Sequence, residues 1–127
     1  MPLVRIDLRE GKSEDYKKAI ADGVHKALVE GAGVPADDRF QIITEHPPGA
    51  IICDPKYLGI SRGDNAVIVQ ITLSAGRKLG QKKLLFRRMA EILAEKPGLR
   101  PEDLMINLAE VAWENWSFGN GEAQYAQ

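Results

Sequence analysis

Residues 4 to 46 of this chain align without a gap on residues 69 to 111, and that internal duplication constrains the fold more than any other feature of the sequence. At one constant offset Val4 matches Val69, Ile6 matches Ile71, Leu8 matches Leu73 and Gly11 matches Gly76. The identities continue with Lys17 and Lys82, Lys18 and Lys83, Leu28 and Leu93, Glu30 and Glu95, Gly33 and Gly98, Asp38 and Asp103, and Glu45 and Glu110. Such a chain is two copies of one supersecondary unit, about 2–46 and about 66–111. A connector containing Pro and Gly, from Pro47 to about Asn65, joins them, and a Gly-rich tail, 112–127, follows. With 127 residues there is room for one hydrophobic core, so both units are expected to fold as a single domain spanning 1–127.

Each copy opens with period-two alternation, Val4, Ile6 and Leu8 in the first and Val67, Val69, Ile71 and Leu73 in the second, the pattern of a strand with one buried face. A glycine then turns the chain into a helix. In the first copy Ser13 is a suitable N-cap, Glu14 and Asp15 suit the positive helix end, and Tyr16, Ile20, Val24, Ala27 and Leu28 form an apolar stripe. Gly31 and Gly33 can end that helix. In the second copy Leu85, Met89, Ile92 and Leu93 make the stripe, and Pro97-Gly98 stops it. A further strand closes each unit, Phe40 to Thr44 and Leu104 to Ala109. The predicted class is α/β (α+β): two tandem β-α-β units forming a four-stranded, mainly parallel sheet with two helices on one face. Leu3, Ile68 and Ile106 are left for the other face or its edges, and burying that face requires another sheet, which predicts an oligomer.

Composition excludes several functions. A formal net charge of -1 with 28% charged residues gives no basic face, which argues against nucleic acid as a partner. No apolar run approaches the roughly 20 residues that span a bilayer. The single cysteine, Cys53, and the absence of a charged-then-apolar leader make a reducing, cytoplasmic location the expectation. Cys53 follows Ile51 and Ile52 and reads as a packed small hydrophobe. His25 and His46 stand apart from other ligands, so no metal is expected. Gly59 to Gly63 lacks the spacing and lysine of a phosphate loop, although its Arg62 can neighbour a pocket. The lysine-rich stretch from Arg77 to Arg88 interrupts an amphipathic helix and reads as its solvated face.

Four short motifs remain, in order: Pro2-Leu3, Val34-Pro35-Ala36-Asp37-Asp38-Arg39-Phe40-Gln41, Ala75-Gly76-Arg77, and Trp116-Ser117-Phe118-Gly119 followed by Gly121 and Tyr125. Together with the paired β-α-β units, this set resembles the tautomerase superfamily, and within it the malonate semialdehyde decarboxylase subgroup, over nearly the whole chain. The resemblance implies that Met1 is removed and that Pro2, then a secondary amine, is catalytic. An ordinary α-amino group titrates at about 7.7 to 8.0, and an apolar pocket favours its neutral, basic form. Arg77 is then the group that binds a substrate carboxylate, and Asp38 assists the proline by orienting a proton or activating water. Trp116, Phe118 and Tyr125 supply an apolar wall over the site, often reaching it from a neighbouring subunit of a homotrimer. Some decarboxylase relatives carry a second arginine where this chain has Ala75.

The residues themselves leave other roles open. The repeat aligns Arg77 with Lys12, so a solvated cation near a helix start also fits. Asp38 recurs as Asp103, which suits a turn or cap. The tail aromatics suit interface packing equally, and Trp113 reads as structural. Arg39 can pair with an acid or stay exposed.

The leading expectation is a cofactor-independent keto-enol tautomerase acting on a small oxo carboxylic acid. The alternative is a malonate semialdehyde decarboxylase type of lyase, with or without hydratase activity. A third reading, should Met1 be retained, is a non-catalytic trimeric binding protein.

Overall fold

In the computed structural model, which describes residues 1–127, alternation and helical periodicity become six main elements: β1 (Leu3–Arg9), α1 (Glu14–Ala32), β2 (Phe40–His46), β3 (Val67–Ser74), α2 (Leu79–Glu95) and β4 (Leu104–Val111). The strands form one sheet in the order β2-β1-β3-β4. Pairing is parallel inside each unit, β1 with β2 and β3 with β4, and antiparallel where the units meet, β1 with β3. The mainly parallel sheet with two helices on one face is therefore the architecture found. Val4, Ile6 and Leu8 of β1 and Val67, Val69, Ile71 and Leu73 of β3 are buried against Ile20, Val24 and Leu28 of α1 and Leu85, Met89 and Leu93 of α2. No helix is long and apolar enough to cross a membrane.

The identities between the copies have physical reasons. Leu28 and Leu93 are both fully buried in the core. Lys17 Nζ donates to Glu45 at 2.6 Å, and Lys82 pairs with Glu110 in the same way, so each helix is tied to the strand that follows it. Gly33 and Gly98 take positive φ just past the helices, and the amides of Val34 and Leu99 return to the carbonyls of Leu28 and Leu93. The equivalence also runs past the aligned residues. The bond from Ala50 N–H to the Pro47 carbonyl has its counterpart from Asn115 to Ala112, both 3.0 Å. The connector and the tail thus begin with the same i→i+3 hydrogen bond, through a positive-φ glycine, Gly49, in the first and a 3-10 turn in the second.

Two expectations need correction. Gly31 does not end α1, which runs to Ala32 and is capped by Gly33 in the left-handed conformation. Gly31 instead permits close approach of α2, since a Cβ there would lie 3.2 Å from the Cα of Leu85. Ile106 is not on the open face, for it packs against the core with Leu104 and Leu108, and parity puts Met105 outward instead. The open face carries Leu3, Phe40, Ile42, Ile68 and Met105 among Arg5, Gln70 and Asn107, so it is mixed rather than purely apolar.

Candidate active site

Topology gathers the motifs. Because β1 and β3 are antiparallel, with Leu3 opposite Thr72, the start of β1 lies beside the end of β3. Because β1 and β2 are parallel, with Leu3 opposite Phe40, the segment before β2 arrives at the same place. The tail then crosses this end of the sheet. Pro2, Leu3, Phe40, Trp116, Ser117 and Phe118 line a pocket of about 250 Å³ there. Pro2 itself is buried.

The aromatic residues form one connected wall. Trp116 stacks on Phe118 with centroids 5.4 Å apart, Phe118 meets Phe40 at 5.9 Å, and Tyr125 is edge-on to Phe118 at 5.0 Å. Trp116 Nε1 donates to Ser74 Oγ at 3.0 Å, anchoring the wall to the end of β3. The Gln124 amide fixes the loop by accepting from Phe118 N–H and donating to the Gly119 carbonyl, both at 2.9 Å. Trp113, outside the pocket, donates to the Ala75 carbonyl and packs on Tyr125.

Asp38, in the segment that leads into β2, has both carboxylate oxygens buried and without a hydrogen-bond partner, the only buried side-chain polar atoms left so. The amine of Met1 is 3.6 Å from its Oδ2. Burial and then the Asp38 charge push the Tyr125 hydroxyl above its ordinary titration range, so Tyr125 feels this carboxylate. The second-copy mate is satisfied, since Asp103 accepts the Gly63 N–H at 2.7 Å and lies 3.7 Å from Arg100. The equivalent residue therefore has a hydrogen-bond donor in one copy and only the amine of the chain terminus near it in the other.

Arg77 stands beside this end without lining the pocket. Its Nε and Nη2 donate to the Ala32 carbonyl at 3.1 and 2.9 Å, and its Nη1 donates to the Ser74 carbonyl at 3.3 Å. Two of its five N–H groups remain for a ligand. Ser74 thus touches both Arg77 and Trp116. Neither Ser74 nor Phe40 was singled out from sequence: Phe40 lay inside a recognised motif, and Ser74 gave no signal beyond ending the β3 alternation. Arg39 pairs with Asp22 at 2.8 Å. Arg62 does not neighbour this pocket and lines another at the opposite end of the sheet. Cys53, expected to be packed, is half-buried in that other pocket. His46 bonds to Asp7 at 2.7 Å, and no group of three His, Cys, Asp or Glu side chains is arranged to hold a metal ion.

Two family models, both described as tautomerase enzyme, match residues 38–119 and 2–60. A protein of Bacillus subtilis (strain 168) named "Probable tautomerase YusQ" is 40% identical over 124 residues, which cover 98% of each chain. Among solved structures, FG41 malonate semialdehyde decarboxylase inhibited by 3-bromopropiolate superposes with a TM-score of 0.92 at 44% identity, covering 97% of this chain and 93% of that one. A malonate semialdehyde decarboxylase described as having decarboxylase and hydratase activities superposes with a TM-score of 0.91 at 31% identity, covering 97% and 95%.

Proposed function

This chain belongs to the tautomerase family, and from that premise we propose that it is an enzyme whose catalytic group is the amine of Pro2, freed by removal of Met1, acting on a small oxo carboxylic acid. The observation that carries the reading is Asp38: a buried carboxylate with no hydrogen bond, beside the chain terminus at a pocket lined by Pro2. A buried carboxylate without a hydrogen bond costs stability, and a cationic amine at the terminus is the group it suits. In ketonisation, the neutral Pro2 amine accepts the enol O–H proton and the resulting ammonium delivers it to the adjacent carbon. The substrate is isomerised with no atom gained or lost. Asp38 stabilises the ammonium between the two transfers. Trp116, Phe118, Tyr125 and Phe40 keep water from the enolate, and the free N–H groups of Arg77 hold the carboxylate.

A second reading is favoured by the likeness to two malonate semialdehyde decarboxylases at TM-scores above 0.9. There a protonated Pro2 polarises the aldehyde carbonyl, the bond between the carboxylate and the α-carbon breaks with release of carbon dioxide, and the carbanion so formed takes a proton. Proton NMR of protein freed of Met1, given an enol-pyruvate and then malonate semialdehyde, tells the two apart by product. Turnover of neither would remove both.

Arg77→Ala is expected to lower kcat/KM for carboxylate substrates about tenfold to a hundredfold, chiefly through KM, as the loss of a charge-assisted pair of about 1.5 to 3 kcal/mol requires. Because Arg77 also caps the Ala32 carbonyl, the urea midpoint should fall as well. Unchanged kcat/KM would take Arg77 out of the site.

The assembly we propose is a homotrimer. Both helices cover one face, while Phe40, Ile42 and Met105 are 45%, 40% and 52% exposed on the other. Sedimentation at micromolar concentration should show a species near three times 14.0 kDa, and a fully active monomer would contradict it.

A further inference from the structure

The duplication gives the Pro2 pocket a partial counterpart at the other end of the sheet. A second cavity of about 250 Å³ opens at the far end of the sheet, with Arg9, Ile51, Ile52, Cys53, Arg62 and Asp64 among its walls. At the repeat offset, Ile51, Ile52 and Cys53 stand where the tail has Trp116, Ser117 and Phe118, and Arg9 stands where β3 has Ser74. The backbone agrees in part, because each segment begins with an i→i+3 hydrogen bond, Ala50 to Pro47 and Asn115 to Ala112, although Gly49 takes a positive φ where the tail forms a 3-10 turn. The two pockets thus share one wall by position, 51–53 in one and 116–118 in the other, and differ in the rest of their lining.

The second set lacks the machinery for proton transfer. Val67 takes the position of Pro2, where its nitrogen is an amide within the chain. Asp103, in the position of Asp38, is already held by the Gly63 N–H and Arg100. Yet the second pocket is the more cationic. Arg9 replaces the neutral hydrogen bond between Ser74 and Trp116, and its nearest acid is Asp64 at 3.6 Å, whose side chain is 95% exposed. Arg62 uses Nη1 on the carbonyls of Asp54, Tyr57 and Ile60, at 3.1 to 3.3 Å, which leaves Nε and Nη2 unused. Two guanidinium groups therefore share a small cavity with the Asp64 carboxylate, its other walls including Ile51, Cys53 and Pro55.

We propose that this second pocket binds a small organic carboxylate without turning it over. Arg9 and Arg62 take the carboxylate, displacing the loosely held Asp64, and Ile51, with the exposed Ile52 at the rim, meets a body of a few carbon atoms. The site is independent of Pro2, so its occupancy persists when catalysis is removed.

Cys53, the only thiol in the chain, lies in this wall and reports occupancy without any activity measurement. The rate of Cys53 alkylation by iodoacetamide, a neutral reagent, is followed while propionate is titrated against sodium chloride of equal ionic strength. Propionate should slow alkylation saturably, by at least about fivefold. The half-protecting concentration should rise about tenfold in Arg9→Ala, the scale of one lost charge-assisted pair. It should fall in Asp64→Asn and stay where it is in Pro2→Ala. Protection no greater than with chloride would overturn the proposal, as would an unmoved half-point in Arg9→Ala. A Cys53 that fails to react in ligand-free protein would overturn it too, by placing the pocket beneath another copy of the chain.

Discussion

Pro2→Ala is expected to lower kcat/KM by about two to four orders of magnitude, the usual contribution of a positioned acid-base group, while the circular dichroism spectrum and the thermal midpoint stay unchanged. Alanine after Met1 removal still presents an amine, so charge at the terminus is preserved. What is lost is the ring, which fixes the direction of the nitrogen lone pair. Pro2 precedes the first paired residue of β1, Leu3, so no ladder hydrogen bond depends on it. Its burial among Leu3, Phe40 and Phe118 nevertheless leaves it little freedom, and a smaller, more mobile residue would blur that geometry. Unaltered rates in Pro2→Ala would remove the proline from the chemistry.

The second large effect is a contrast between two aspartates in equivalent places. Asp38→Ala is expected to reduce kcat at least tenfold while changing stability by less than about 1 kcal/mol, because it deletes a buried charge that makes no hydrogen bond. Asp103→Ala is expected to do the reverse, costing about 1 to 3 kcal/mol by leaving the Gly63 N–H without its acceptor, with turnover nearly intact. Urea denaturation beside turnover assays reads both. Equal stability losses with undiminished turnover in Asp38→Ala would mean that the two residues share one structural role.

Much of the fold was legible because its signals are local. Alternation in Val4, Ile6 and Leu8 and the stripe from Tyr16 to Leu28 mark a buried strand face and a helix face whatever surrounds them. The gapless repeat then made the second unit as clear as the first. What stayed hidden depends on distant partners. Gly31 has the composition of a helix stop, and only the backbone of Leu85 gives it another purpose.

The site divides along the same line. The motifs pointed to Pro2, Asp38, Trp116, Phe118 and Tyr125, and the topology brings them to one end of the sheet. That Arg77 first serves the carbonyls of Ala32 and Ser74 follows from where α1 ends, which no motif records. The second pocket was invisible for a different reason. Connector and tail share a backbone hydrogen bond but hardly any side chains, so their kinship is not written in letters.

The central claim, that a free secondary amine at Pro2 does the chemistry, is tested most directly by blocking that nitrogen without changing any side chain. Protein whose intact mass shows Met1 absent is compared by proton NMR, on the same enol carboxylate, with protein in which an uncleaved N-terminal extension keeps Pro2 in a peptide bond. The processed protein should consume the enol, and the blocked one should not exceed the uncatalysed rate. Equal rates in the two would contradict the account.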